Sequence, residues 1–421
     1  MTKTAPRAAL PATNGSGPAA GGRPRTPPVT VDRHSPAGWP GLGPFGLSDH
    51  DGPETIRLRK YTTGTHVVLE QIHVDTGVSP REVVWAHGAT RLYRYHRPGS
   101  TSESDHRVPL LLLYGFVLKS TILDLVPGNS LVEYLVARGF DVFLLDLGIT
   151  GNDDADLSVE DLVLDHIPDA VYAVRTACDA DQVSIVGVSQ GGTLAVIHAA
   201  LATDDRLRNL VLVSTPTEFA PRRPGPLGWW TLASRNGEAV FDPAVVPRYL
   251  GNLPTGVASA VIGTAASLQA IGVQAITRAL GGGVGYDAGL AEIRKLADRD
   301  VAMRSWLAVS RWVDDAAPFP GVAFHRWVRD FYQRNELVAG RVRLRGHRVD
   351  LTDVQCALLN VSGRWDHIVP LSQTTATTQL VSSSDVTSIT HDAGHVGILA
   401  GPSAMTSLWP RVGDWLAARS R

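Results

Sequence analysis

Residues 183–195 read Val-Ser-Ile-Val-Gly-Val-Ser-Gln-Gly-Gly-Thr-Leu-Ala, and few stretches leave a backbone so little choice. Three β-branched apolar residues, Val183, Ile185 and Val186, run with Ser184 among them into Gly187-Val188-Ser189-Gln190-Gly191, and an apolar helical pattern follows at once. Gly187 and Gly191 carry no Cβ, so a strand can turn sharply into a helix there and push Ser189 out at the strand end. The helix opening at about Gly191 then aims its unpaired N–H groups and the positive end of its dipole at whatever Ser189 holds. Gly-x-Ser-x-Gly alone also fits an ordinary Gly/Ser turn. The flanking strand and helix favour a nucleophile elbow over that turn.

Buried strands recur around this point. Pro109-Leu110-Leu111-Leu112-Leu113-Tyr114, Phe140-Asp141-Val142-Phe143-Leu144-Leu145-Asp146 and Asn209-Leu210-Val211-Leu212-Val213-Ser214 are near-continuous apolar runs, the mark of strands covered on both faces of a parallel sheet. Helical patterns over 130–135 and 158–176 separate them. Repeated βα units imply right-handed crossovers and a doubly wound α/β sheet. Shorter alternating segments at 65–70, 82–85 and 90–95 predict antiparallel edge strands. The sheet resumes with strands at 356–362 and 386–390, and 408–419 reads as a closing helix.

Two regions break the rhythm. Residues 1–45 are rich in Pro, Gly, Ala, Thr and Ser and cannot bury enough apolar surface to order themselves, which predicts a disordered leader. Its amino end is basic but lacks an apolar stretch of the kind a secretory signal needs. Residues 217–346 predict an inserted helical cap, or lid, between two parts of one core, 46–216 and 347–421. Within the insertion lie Pro221, Pro224, Pro226, a Trp229-Trp230 pair and the small-residue run 256–280. Thr264, Ser267, Gln269, Gln274 and Arg278 interrupt that run, so it predicts a buried or lid helix and no transmembrane segment.

The chain has a formal net charge of −2, which gives no electrostatic footprint for nucleic acid. Its two cysteines, Cys178 and Cys356, form neither a metal-binding spacing nor a disulfide framework, and a reducing cytoplasm suits them. No metal and no resident cofactor is expected. Both cysteines read as small packed side chains.

A serine hydroxyl is a weak nucleophile without a base, and the base needs a carboxylate to orient it. In a strand-turn-helix elbow of this kind the chain order is Ser, acid, His, each just past a strand. Asp366 follows the 356–362 strand in Gly363-Arg364-Trp365-Asp366-His367-Ile368-Val369-Pro370, and His395 follows the next in Asp392-Ala393-Gly394-His395-Val396-Gly397. Each has a plainer reading, Asp366 as the cap of a following helix and His395 as a surface histidine. His391 still lies on its strand, His367 points away if Asp366 points in, and His198 sits well into the elbow helix; all three are weaker candidates. The oxyanion hole is expected from the backbone N–H groups of Gln190 and Phe116, the latter just after the 109–114 strand. Asp124 and Asp146 are read as structural.

With these residues placed, the sequence resembles the polyhydroxyalkanoate synthase family of the α/β-hydrolase superfamily, especially its class III catalytic subunit. The phrases that carry the resemblance are Thr76-Gly77-Val78-Ser79-Pro80-Arg81-Glu82-Val83-Val84, Ile122-Leu123-Asp124-Leu125, Gly187-Val188-Ser189-Gln190-Gly191-Gly192, Trp327-Val328-Arg329-Asp330-Phe331-Tyr332-Gln333-Arg334-Asn335, Trp365-Asp366-His367-Ile368-Val369-Pro370 and Gly394-His395-Val396-Gly397-Ile398. The resemblance implies an α/β-hydrolase fold with its cap after the strand that follows the elbow helix. It also implies acyl transfer from a coenzyme A or carrier-protein thioester, His395 as base, Asp366 as its partner, and dimerisation through the cap with an accessory subunit as a further partner. The family's nucleophile is a cysteine, and this chain has Ser189 there. The Leu145-Asp146-Leu147-Gly148 stretch also lacks the tryptophan usual after that aspartate. On serine the acyl intermediate is an oxoester, lower in energy than a thioester, so loading from a thioester runs downhill while onward transfer to a hydroxyl, an amine or water stays feasible. An esterase, thioesterase or polyester depolymerase is the alternative enzyme, and a non-catalytic granule-associated subunit the alternative of another class.

Overall fold

Strands close to continuous in Leu and Val can be satisfied only by cover on both faces, and the computed structural model provides it. It describes residues 74–96, 105–148, 151–202, 205–219, 241–253, 255 and 300–420. Eight strands form one sheet: β1 (Arg81–His87), β2 (Thr90–Tyr95), β3 (Leu110–Leu113), β4 (Val142–Asp146), β5 (Val183–Val188), β6 (Leu207–Val213), β7 (Ala357–Gly363) and β8 (Val386–His391), in the order β1-β2-β4-β3-β5-β6-β7-β8. β1 pairs antiparallel with β2, and β2 antiparallel with β4; every pairing from β4 to β8 is parallel. The chain runs from β3 to β4 on one side and returns to β5 on the other, so the strand order reverses at β3. Open α/β sheets bind ligands outside the carboxyl ends of the strands at such a reversal.

Alternate residues of the parallel strands feed two separate apolar clusters. Leu111, Leu113, Phe143, Ile185, Leu210, Leu212 and Leu358 point into one, and Leu110, Leu112, Leu144, Val186, Val211, Val213 and Leu359 into the other. On the first face pack helices α2 (Ile167–Cys178) and α3 (Gln190–Leu201); on the second pack α1 (Leu131–Ala137) and the terminal α6 (Trp409–Ala417). Local chemistry sets the helix starts. The Ser130 hydroxyl accepts from the Glu133 N–H at 3.0 Å ahead of α1, and Ser158 with Asp161 forms a capping box ahead of the helical stretch that leads into α2.

Residues 300–333 join the two faces. In α4 (Val301–Asp314), Ala308, Val309, Trp312 and Val313 belong to the second cluster. Phe319, α5 (Gly321–Arg326) through Ala323 and Phe324, and the π-helical turn Trp327–Gln333 through Trp327, Val328 and Phe331 belong to the first. The chain therefore crosses from one face to the other between Trp312 and Phe319. Of the expected insertion 217–346, the proline cluster, the tryptophan pair and the run 256–280 lie outside the described residues, as do the expected leader 1–45 and the edge strand at 65–70. Among the described residues no helix is long and apolar enough to cross a membrane.

Candidate active site

Ser189 stands between β5 and α3 with φ 53° and ψ −122°, a backbone conformation that L-residues rarely adopt. The surrounding contacts impose it. The Ser189 N–H donates to the Val213 carbonyl at 2.9 Å, fixing the turn to the next strand. A Cβ at Gly187 would lie 2.5 Å from Gly192 Cα, and one at Gly191 would lie 2.5 Å from the Leu113 carbonyl oxygen. Only glycine fits where the elbow packs this closely on itself and on the end of β3.

Asp366 and His395 come from the loops after β7 and β8. The Arg364 N–H donates to the His391 carbonyl at 2.8 Å and the Trp365 N–H to the Ala393 carbonyl at 3.0 Å, so the two loops are tied together. His395 Nε2 is 3.1 Å from Ser189 Oγ, and His395 Nδ1 is 2.7 Å from Asp366 Oδ2. The other carboxylate oxygen of Asp366 accepts from the backbone N–H groups of Ile368 at 3.0 Å and Val369 at 2.8 Å. A carboxylate against Nδ1 keeps the proton on that nitrogen, which leaves the Nε2 lone pair facing the serine hydroxyl. Burial of Asp366 by itself favours the neutral acid. The attraction and hydrogen bond of His395, with the backbone N–H of Val369, outweigh it and hold the carboxyl below its ordinary range.

Gln190 is the first residue of α3, where a backbone N–H has no partner within the helix. Its side chain also takes part. The Phe116 N–H donates to Gln190 Oε1 at 3.0 Å, so the two residues expected to share an oxyanion hole are bonded to each other. Ser189, Gln190 and His395 line one cleft. Its other walls are almost wholly apolar, with Trp312 and Phe319 among them, joined by Tyr114, Trp327 and Tyr332. Phe116 backs this wall, stacked on Phe319 at 4.8 Å between ring centroids and meeting Trp327 edge-on at 5.8 Å.

These aromatic walls were not assigned from sequence. The signal available was the stretch Trp327–Asn335, which stood out without a role. The structure gives it one, because Asp330 is buried and paired with Arg326 at 3.2 Å and Arg329 at 2.6 Å. Asn335, at φ 48°, accepts from the Phe219 N–H at 2.9 Å and donates to Glu218. The weaker candidates have other places: His391 Nε2 is 3.0 Å from Ser403 Oγ, and His367 and His198 are not among the residues lining the cleft. Asp124 accepts from the Ser79 N–H at 3.0 Å and the Ser130 hydroxyl at 2.8 Å, and Asp146 from the Gly148 N–H at 3.1 Å. Cys178 and Cys356 are free, and burial pushes both thiols up to about 12, where they stay protonated and unreactive. Among the described residues no group of three or more His, Cys, Asp or Glu side chains is placed to hold a metal ion.

Comparison with known proteins agrees with this geometry at the level of fold and family. A family model described as alpha/beta hydrolase fold matches residues 108–402. The chain is 32% identical over 361 residues to the poly(3-hydroxyalkanoate) polymerase subunit PhaC of Allochromatium vinosum, covering 86% of this chain and 95% of that one. It is 29% identical over 361 residues to the subunit of the same name from Thiocystis violacea, covering 86% and 94%. Among solved structures, a soluble variant of monoglyceride lipase from Saccharomyces cerevisiae superposes with a TM-score of 0.50 at 13% identity, covering 83% of this chain and 99% of that one, a likeness of fold alone. From its matched fold and from its identity with relatives spanned almost end to end, the chain belongs to the α/β-hydrolase fold family and, within it, to the polyhydroxyalkanoate synthases.

Proposed function

We propose that this synthase-family chain is a serine-dependent acyltransferase: Ser189 takes an acyl group from a coenzyme A or carrier-protein thioester and passes it to a hydroxyl, an amine or water. One observation carries the reading, the relay Asp366–His395–Ser189 at 2.7 and 3.1 Å on the wall of an apolar cleft. In the loading step Ser189 Oγ attacks the thioester carbonyl while its proton moves to His395 Nε2. Asp366 stabilises the imidazolium that results. Negative charge collects on the carbonyl oxygen, where the Gln190 N–H at the start of α3 is suited to receive it. The tetrahedral intermediate collapses by breaking the C–S bond, and His395 returns the proton to the departing thiolate. The second step runs the same way with the acceptor: His395 removes its proton, the acceptor attacks the Ser189 ester, and Ser189 leaves as a hydroxyl again.

The apolar walls suit an acyl chain, and the serine ester distinguishes this chain from a thioester-forming enzyme. Two unpaired thiols fit a reducing, cytoplasmic setting. Residues 300–333 would then be part of the cap expected over the site.

Intact-protein mass spectrometry after incubation with a panel of acyl-coenzyme A thioesters tests the proposal directly. The mass should rise by one acyl group located on Ser189, and Ser189→Ala should show no increase. An esterase would instead turn over nitrophenyl esters without dependence on any acceptor beyond water. If neither Ser189→Ala nor His395→Ala changed turnover on any acyl thioester, the proposal would be wrong.

A further inference from the structure

The Gln190 side chain occupies a donor that acyl transfer needs. The Phe116 N–H is bonded to Gln190 Oε1 at 3.0 Å, so the amide oxygen of the residue next to the nucleophile sits where a substrate carbonyl oxygen would accept. Gly115 makes the room for it. A Cβ there would lie 2.7 Å from Gln190 Oε1 and 2.8 Å from Gln190 Cβ, so the glutamine side chain lies against bare backbone. The loop that carries the donor is held from several sides. The Phe116 ring is stacked on Phe319, the Ala317 N–H donates to the Val117 carbonyl at 2.9 Å, and Trp312 Nε1 donates to the Lys119 carbonyl at 2.7 Å. The glutamine, with its rotatable side chain on the wall of the cleft, is the partner free to move.

We propose that Gln190 is a displaceable occupant of the oxyanion site: its Oε1 satisfies the Phe116 N–H in the resting protein and is expelled when a substrate carbonyl oxygen arrives. This rests on Ser189 acting as the nucleophile. The exchange has a direction. A neutral amide oxygen competes with a ground-state carbonyl on nearly equal terms, but the oxyanion accepts a charge-assisted bond about twice as strong. Displacing the glutamine costs the same ahead of either state, so a ground-state carbonyl only breaks even while the stronger bond of the oxyanion more than offsets the loss, and until then the glutamine keeps the part-buried N–H satisfied.

A fluorophosphonate probe reads this without knowledge of the natural substrate. Ser189 Oγ attacks phosphorus, the P–O bond forms, fluoride leaves, the serine proton passes to His395, and the phosphoryl oxygen takes the oxyanion site. Labelling rates would be followed by intact mass for the full-length protein, Gln190→Ala and Gln190→Glu. Gln190→Ala should label about 2- to 10-fold faster, the factor corresponding to one neutral hydrogen bond that no longer has to be exchanged. Gln190→Glu, nearly the same shape, should label more slowly than the parent at pH 8, because a carboxylate holds the N–H more tightly and repels the developing charge. Its rate relative to the parent at the same pH should rise as the pH is lowered to 5 and the carboxylate begins to take up protons. Equal labelling of Gln190→Ala and the parent, or a Glu-to-parent ratio that does not change with pH, would overturn the proposal. Absence of any Ser189 adduct in all three proteins would overturn the assignment of the nucleophile, and the displacement idea with it.

Discussion

A serine ester and a cysteine thioester at one position of one fold differ in a way that chemistry can read out. Transfer from coenzyme A to a cysteine exchanges one thioester for another and is freely reversible, whereas the proposed transfer to Ser189 would form the lower-energy oxoester. Excess free coenzyme A should therefore strip the acyl group from an acylated Ser189→Cys variant and leave the acyl-serine parent intact, as followed by intact mass; equal stripping of both would refute the argument. Asp366 gives a second prediction. Replacing it by Asn should lower turnover by roughly 10,000-fold, because the relay then sets the wrong imidazole tautomer. The same carboxylate links stability to pH. Its pKa is depressed in the folded protein, so its contribution is fully present above the unfolded value of about 3.9 and is lost as pH falls through the folded value. Melting temperatures measured from pH 5 down to pH 3 should fall more steeply for the parent than for Asp366→Asn. Ser189, Asp366 and His395 were legible as candidates because each sits just past a strand in a Gly-marked turn, in the chain order such an elbow requires. The Gln190 side chain was not, because its motif speaks only for the backbone N–H.

Secondary-structure elements here are defined by what lies next to them, and the elbow shows how tightly. A Cβ at Gly191 would meet the backbone of Leu113 and Tyr114 at 2.5–2.7 Å, and backbone at the end of a central strand cannot yield as a side chain can. Gly191→Ala should cost about 1–3 kcal/mol or more by the usual penalty for overpacking, measured by denaturant unfolding, with Ser189 acylation falling alongside. A substitution within a few tenths of a kcal/mol of the parent would show that the backbone there yields to a methyl group after all. The π-helical turn Trp327–Gln333 makes the opposite point, since a wide turn of this kind is uncommon and clusters at functional sites. It places Trp327 and Tyr332 on the cleft wall while Asp330 holds Arg326 and Arg329. Asp330→Ala would leave two guanidinium groups short of a partner, though Arg326 keeps Glu160. Because both arginines are partly exposed, the cost should be about 1–3 kcal/mol, below that of a fully buried pair. KM for the acyl donor should rise as Trp327 loses its setting, and an unchanged KM would separate the ion pairs from the cleft. The central strands were readable as continuous apolar runs, and the helices at 131–137, 167–178 and 409–417 from the period that one-sided burial imposes on a sequence. The π turn imposes none, and its aromatic residues reach the site across more than a hundred residues of chain.

At the scale of the whole molecule, the cleft exists because one segment crosses from one face of the sheet to the other. Trp312 is packed in the cluster with α1 and α6, Phe319 in the cluster with α2 and α3, and both line the cleft that holds Ser189. Between them the segment is fastened to the loop after β3: Trp312 Nε1 to the Lys119 carbonyl at 2.7 Å, Lys119 Nζ to Asp315 at 2.6 Å, and the Ala317 N–H to the Val117 carbonyl at 2.9 Å. The Lys119–Asp315 pair is solvent-exposed and worth at most about 1 kcal/mol, so the indole and backbone bonds carry the fastening. That loop bears the Phe116 N–H, the donor proposed for the oxyanion site, so displacing the segment should disturb that donor's geometry. Trp312→Phe tests the coupling, since it keeps an aromatic ring in the buried site while removing the indole donor and leaving the Lys119 carbonyl short of one bond. A single neutral hydrogen bond contributes about 0.5–1.5 kcal/mol, so melting should drop by only a few degrees. If the segment positions the loop, acylation of Ser189 should slow by more than that loss of stability explains. Lys119→Ala should leave the rate near the parent value, because it removes only the exposed pair. If Trp312→Phe acylates at the parent rate despite its lower melting temperature, the crossing segment is a wall of the cleft and nothing more. If Lys119→Ala slows acylation as much as Trp312→Phe, the exposed pair, and not the indole bond, holds the loop in place.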